Sequence, residues 1–338
     1  MSEEHLRKTK TSKKNRKKKK TLIPVWAKIL LGVFFVLVIL VSIGLGLFFS
    51  TLNNLDTVKI NKENLGITSN DELKEYTNYE KIKNIALFGV DSEDGVGRSD
   101  SIMIATIDPV HDKLKVTSIM RDSYVNIDGY GYDKINHAYA YGGPELSIKT
   151  INQNFGLNID DFVAVDFSSL PKIIDILGGI TLNITDEELQ YINGYIDDIN
   201  QKDGTSSPHI NYSGEQFVNG VQALAYSRIR YTSGGDYERT QRQRTVLNQL
   251  FTSALDTPPS QYLTVINQLL QYVRTSMTAN NILELAGKIV TLGGGSLEQE
   301  RFPRDGYASG EMINGVYYLV FDEVETKQQM MDYIFDDK

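Results

Sequence analysis

The sequence predicts an α/β protein: a single extracellular α-β-α domain with a central mixed sheet flanked by helices, preceded by one N-terminal transmembrane helix. Three observations point there. Residues 29–49 form an uncharged apolar run of 21 residues. Residues 84–90 and 101–107 are mostly apolar, residues 113–120 mix apolar with polar side chains, and the three follow in quick succession and read as strands. Residues 146–154, 170–177 and 245–255 read as helices with apolar faces.

At about 1.5 Å per helical residue, the uncharged run covers the roughly 30 Å hydrocarbon core of a bilayer. A cleaved signal peptide is the rival. Its apolar core is about 7–15 residues long and ends at a small-residue site. The run here is longer, and Phe48-Phe49-Ser50-Thr51-Leu52 is a poor cleavage site. Residues 1–28 hold eleven of the 35 Lys and Arg and only two acids, Glu3 and Glu4. The remaining chain has 24 basic and 41 acidic residues, so a net charge of -8 conceals two oppositely charged parts. The positive-inside bias places the basic part in the cytoplasm. The expected organisation is therefore a cytoplasmic basic arm (1–28), a transmembrane helix (29–49), a polar extracellular stalk (50–82) and an extracellular domain (83–338).

Composition removes several chemistries. With no cysteine, disulfides and thiolate metal sites are excluded. Four histidines, His5, His111, His137 and His209, do not suggest a multi-histidine zinc centre. Leu177-Gly178-Gly179 reads as a helix C-cap before a strand at 180–184. It lacks the Gly-Lys-Ser/Thr of a Walker phosphate loop. Ser99, Ser123 and Ser227 have no neighbouring Asp/His pattern of a hydrolase triad, and His137 reads as structural. No nucleic-acid partner is expected, because an acidic external part repels phosphate backbones.

The strands place polar residues together. The second and third are joined by Asp108-Pro109-Val110-His111-Asp112, short enough for a hairpin. If the first and second also pair antiparallel, one edge carries Asp91, Arg98, Asp100, Arg121 and Asp122. Crevices beyond strand ends are common ligand sites in open α/β sheets. Asp91 and Asp100 flank a glycine-containing loop, and two close carboxylates repel unless a cation or proton lies between them. A hard cation held by one or two carboxylates plus phosphate oxygens would suit them.

The arginines are clustered. Ten lie beyond the apolar run, and Arg228, Arg230, Arg239, Arg242 and Arg244 fall within 17 residues. Gly234-Gly235 breaks the chain there, and Asp236 is the expected N-cap of a following helix. On that helix Arg239, Gln243, Leu247, Leu250 and Ala254 share one stripe. Arg239 on a core-facing stripe needs an anionic partner, either Asp236 or a phosphate. Arg244 lies off the stripe and is expected on the solvated surface.

These segments taken together, Asn84 to Asp91, Gly97-Arg98-Ser99-Asp100-Ser101, Met120-Arg121-Asp122, Lys134 to Gly143 and Ala225 to Arg244, resemble the ordered motifs of the LytR-CpsA-Psr family. The resemblance is strong over residues 83–255, and the arm, span and external domain match it loosely. It implies an enzyme that transfers an anionic glycopolymer, of teichoic acid or capsule type, from an undecaprenyl-pyrophosphate carrier to peptidoglycan at the cell membrane. It also implies Mg²⁺ (or Mn²⁺) on Asp91 and Asp100, and pyrophosphate binding by Arg98, Arg121, Arg228, Arg230, Arg239 and Gln243. Asp91, Arg121 and Asp236 are the expected catalytic groups, with Asp91, Asp100 and Asp236 all candidates for the base. The polyprenyl tail is expected between sheet and helices, although apolar faces that only fill a core would look the same. A polyprenyl-pyrophosphate hydrolase and a transcriptional attenuator are the alternative readings.

Overall fold

The computed structural model describes residues 56–93, 96–292 and 297–338. The basic arm, the transmembrane helix expected at 29–49 and the first residues of the expected stalk lie outside the described residues. In chain order the strands are β1 (Asp56–Thr57), β2 (Lys83–Glu93), β3 (Val96–Asp108), β4 (Lys113–Ile119), β5 (Tyr124–Ile127), β6 (Gly131–Lys134), β7 (Asp161–Asp166), β8 (Ile180–Ile184), β9 (Gly214–Val218), β10 (Arg274–Thr275), β11 (Glu298–Phe302), β12 (Ala308–Ile313) and β13 (Val316–Phe321). The helices after the first strands are α1 (His137–Phe155), α2 (Leu170–Ile176), α3 (Asp186–Asp203), α4 (Gly220–Arg228), α5 (Gly235–Asp256), α6 (Tyr262–Leu269), α7 (Ala279–Thr291) and α8 (Glu323–Phe335).

The main sheet has the order β1-β10-β7-β2-β3-β4-β11. It is mixed: β2, β3 and β4 are antiparallel neighbours, whereas β7 runs parallel to β2 and β11 parallel to β4. Successive side chains of a strand point to opposite faces, and β2 follows that rule. Ala86, Phe88 and Val90 enter a core with Ile148, Ile151 and Phe155 of α1 and Ile334 and Phe335 of α8. Ile85 enters a second cluster with Met277 and Leu285 on the other face. Each such fully buried large side chain contributes about 1.5–3 kcal/mol. Helices therefore cover both faces of the sheet. A third cluster joins α2, α3, α4, β8 and β9.

α1 is interrupted where Gly142-Gly143-Pro144 stands. Gly143 has φ +63°, a left-handed conformation that a side chain would strain, and Pro144 cannot donate to the preceding turn. The strand after Gly178-Gly179 is β8, and both glycines have positive φ.

The boundaries differ from expectation in two places. Residues 56–82 are not a free stalk: Leu65, Leu73, Tyr76 and Tyr79 are buried in the main core. Their polar neighbours dominate the local composition, but these side chains and the buried Ile82 hold the segment against the core. The strands flanking Asp91 and Asp100 also continue past the expected ends, because Asp91 pairs with Arg98, Ser92 with Gly97 and Glu93 with Val96. What read as a loop is most of a long hairpin.

Candidate active site

The hairpin aims its carboxylates by an irregularity. Gly89 pairs with Ser101 and Val90 with Ser99, so Asp100 is the extra residue of a β-bulge. Glycine is needed opposite it. A Cβ on Gly89 would lie 2.9 Å from the Ser101 Cβ and 3.3 Å from the Phe167 ring. Asp91 and Arg98 stand directly across the two strands. Arg121 follows the end of β4, where the Met120 N–H bonds to the Phe302 carbonyl.

The carboxylates and arginines form one lattice. Arg121 Nη1 donates to Asp100 Oδ2 at 2.7 Å, and its Nε lies 3.6 Å from both Asp122 and Asp236. Arg230 stands 3.7 Å from Asp100 and 4.0 Å from Asp236. Arg239 Nη2 donates to Asp236 at 3.0 Å. Asn136 Nδ2 donates to the other Asp100 oxygen at 3.2 Å. Asp91, Arg98 and Arg228 have no side-chain hydrogen bond or ion pair among the described residues.

Five arginines, with Lys134 paired to Asp122, thus stand among four aspartates, Asp91, Asp100, Asp122 and Asp236, which leaves two positive charges. Arg239 is 3% exposed, and its Nε has no partner. Burial, reinforced by the nearby Arg121 and Arg230 charges, pulls its guanidinium down to about 10. Such a cluster lacks an anion of about two charges, held by charge-assisted bonds.

Asp91, Arg98, Asp100, Arg121, Arg228, Arg230, Arg239 and Gln243 all line one polar cleft of about 900 Å³. A second cavity of about 250 Å³ adjoins it, lined by Leu87, Met103 and Val163 of the sheet and by Leu170, Leu247 and Leu250 of the helices. Phe167, Ser227 and Gln243 line both. Two of the three helices expected to flank an apolar cavity do so. The helix at 146–154 packs into the core on the opposite face instead.

Two expectations on α5 need correction. The helix starts at Gly235 after an N-cap at Gly234. Asp236 is therefore in the first turn, and its carboxylate goes to guanidiniums rather than to backbone N–H groups. Arg244 is not on the solvated surface. It is 6% exposed, its Nε and Nη1 lack partners, and burial together with the Arg301 charge pulls it down to about 10. Segments distant in sequence, around Glu300, Arg301 and Tyr333, stand beside it, which no helical wheel reveals.

Sequence reasoning missed Arg242. Its Nε donates to Glu188 at 2.7 Å, Nη2 to Thr232 at 2.8 Å and to Glu238 at 3.0 Å, and Nη1 to the Ile229 carbonyl at 3.1 Å. It ties α5 to α3 and to the loop that carries Arg230. Only the Glu238 spacing was visible in the sequence. Asn136, Ser227 and Phe167 were also missed. His137 bonds Asp133 at 2.8 Å and does not line the cleft, in keeping with a structural role.

A model of the LytR_cpsA_psr family matches residues 48–333. The polyisoprenyl-teichoic acid–peptidoglycan teichoic acid transferase TagU of Oceanobacillus iheyensis is 32% identical over 331 residues, covering 93% of this chain and 94% of that protein. The regulatory protein MsrR of Staphylococcus aureus is 36% identical over 170 residues, which is 49% of this chain and 47% of that one. Among solved structures, TagT bound to LIIa-WTA superposes with a TM-score of 0.62 at 25% identity, over 82% of this chain and 99% of that chain. With the ordered motifs brought to one cleft and the match spanning nearly the whole described chain, this protein belongs to the LytR_cpsA_psr family.

Proposed function

We infer that this protein is a phosphotransferase that moves an anionic glycopolymer from a polyprenyl-pyrophosphate carrier onto peptidoglycan. One observation carries this most directly: the arginine-lined cleft opens, past Phe167, Ser227 and Gln243, into an apolar cavity. That shape suits a ligand with a doubly anionic head and a hydrocarbon tail. At about 250 Å³ the cavity is smaller than ordinary ligand pockets, which run from about 300 to 1,000 Å³. It therefore seats the part of a polyprenyl chain nearest the phosphates and leaves the remainder to the bilayer. The relative TagU carries a matching activity in its name.

The chemistry follows from the charges. An acceptor sugar hydroxyl attacks the phosphorus that bears the glycan, and the bridging oxygen leaves with the lipid monophosphate. Arg98, Arg121, Arg228, Arg230 and Arg239 neutralise the charge that grows on the departing oxygens, the main lever in phosphoryl transfer. Gln243, at the junction of cleft and cavity, positions the head against the tail. Asp236 holds Arg121, Arg230 and Arg239 in place. The hydroxyl proton needs a base. Asp100 and Asp236 are both engaged by arginines, whereas Asp91 is free among the described residues, so we assign that role to Asp91.

The donor set of the cleft also fits Mg²⁺ or Mn²⁺. It offers only oxygen ligands, one unpartnered carboxylate in Asp91, and an Asp100 oxygen engaged by a single amide. Asp91 and Asp100 would hold the ion, which would withdraw charge from the pyrophosphate. Purified full-length protein should lose transfer activity in chelator and regain it on adding Mg²⁺, read as glycan-linked product. Full activity in chelator would remove the ion from the mechanism. Release of free polymer without linkage to glycan would favour the hydrolase reading.

We further propose a single-pass membrane protein with a cytoplasmic N-terminus. The support is the 21-residue uncharged run behind eleven basic residues. A reporter fused after Lys338 should be active at the cell surface; activity only in the cytoplasm would overturn both topology and substrate.

A further inference from the structure

The β5–β6 hairpin presents a polar aromatic face that the reaction described above does not use. Val125 and Ile127 are buried on one side. Tyr124 pairs with Lys134 and Asn126 with Tyr132, so these four share the other side. The rings continue beyond the hairpin: Tyr132 lies 5.2 Å from Tyr124, and Tyr124 lies 4.7 Å from Tyr318 of β13. Tyr132 and Tyr317 are 51% and 48% exposed.

This face joins two concavities. At one end Lys134 Nζ lies 5.8 Å and 5.9 Å from the Tyr318 and Tyr317 rings and donates to Asp122 at 2.6 Å. Asp122 in turn stands 3.6 Å from Arg121 of the cleft. At the other end Tyr132 lines a polar groove of about 650 Å³, with Thr68, Ser69, Asn126 and Gln153 among its walls. The surface from cleft to groove is thus one path of rigid amphipathic rings, hydroxyls and amides.

We propose that this path binds the uncharged glycan strand that accepts the polymer. The inference rests on the transferase reading and extends it to the second substrate. Sugar rings offer an apolar face to stack on tyrosine, and hydroxyl and acetamido groups to bond amides. Charge separates the acceptor from the donor polymer. The groove is lined by Glu72, Asp128 and Glu323 against Lys327. Even with Asp128 paired to Lys149 at 2.6 Å, acids outnumber bases. A phosphate-bearing polymer would be repelled there, whereas a neutral glycan would not.

The test uses the full chain in phospholipid vesicles and a neutral β-1,4-linked N-acetylglucosamine hexasaccharide as the probe. Tyr132→Ala and Tyr317→Ala should each weaken hexasaccharide binding about fivefold or more, the scale of one lost ring contact. Each should raise the acceptor KM similarly, with kcat and donor KM unchanged. Tyr132→Phe, which keeps the ring, should restore both. Unaltered affinity and acceptor KM in folded alanine variants would overturn the proposal, as would a rise confined to the donor KM. Hexasaccharide binding that depends on Tyr132, in a wild-type protein that forms no glycan-linked product, would leave this path standing and sink the transferase reading instead.

Discussion

Arg121→Ala should lower transfer about 10²–10³-fold, the usual loss when one preorganised donor to a developing negative charge is removed. Arg121 is the centre of the lattice: one guanidinium reaches Asp100, Asp122 and Asp236 within 3.6 Å. Binding of inorganic pyrophosphate, read as a rise in melting temperature, should weaken in the same variant. The fold should survive, because Asp100 and Asp236 retain Arg230, and Asp236 also retains Arg239. Arg121→Lys should restore little, since a point charge cannot serve three carboxylates through a planar fork. Transfer within a factor of two of wild type in Arg121→Ala would show that the cleft is not where charge develops.

Arg242→Ala should destabilise the protein by about 3–5 kcal/mol, the cost of leaving a buried charge without its partner. Glu188 is buried and loses the 2.7 Å contact, and the Ile229 carbonyl and Thr232 lose their donors. The effect should appear as a lower melting temperature, with lost activity following from displacement of Arg230. The double replacement Arg242→Met with Glu188→Met should recover most of the stability, because an apolar pair of similar volume avoids the desolvation cost. If Arg242→Ala melts within a degree of wild type, the network is ornamental. Arg239→Ala makes a useful contrast. It leaves Asp236, which is partly buried, with Arg121 and Arg230 still beside it, so its cost should fall on binding more than on folding.

Much of the site was legible because it obeys local periodicities. Alternation along β2 and β3, with a hairpin between β3 and β4, brings Asp91, Arg98, Asp100 and Arg121 to one region. The 3.6-residue repeat places Arg239 and Gln243 on the same stripe as Leu247 and Leu250. In the structure that stripe runs from the polar cleft into the apolar cavity. Other features escaped because they depend on non-local partners. Arg244 is covered by segments more than fifty residues away, and Arg242 is satisfied by Glu188, 54 residues before it. The bulge at Asp100 depends on how two strands pair, and pairing register is not written in either strand alone.

The sequence by itself determined the types of the elements it named, the division into a basic segment, an uncharged run and an acidic remainder, and the charged residues that line the cleft. These follow from composition and from spacing within single segments. Only the tertiary structure decided which apolar faces border a cavity and which fill a core. The helices at 146–154 and 245–255 are alike in sequence character, yet one packs into the main core and the other lines the cavity. The difference lies in which face of the sheet each meets. A side chain is buried by what lies opposite it, and what lies opposite comes from another part of the chain.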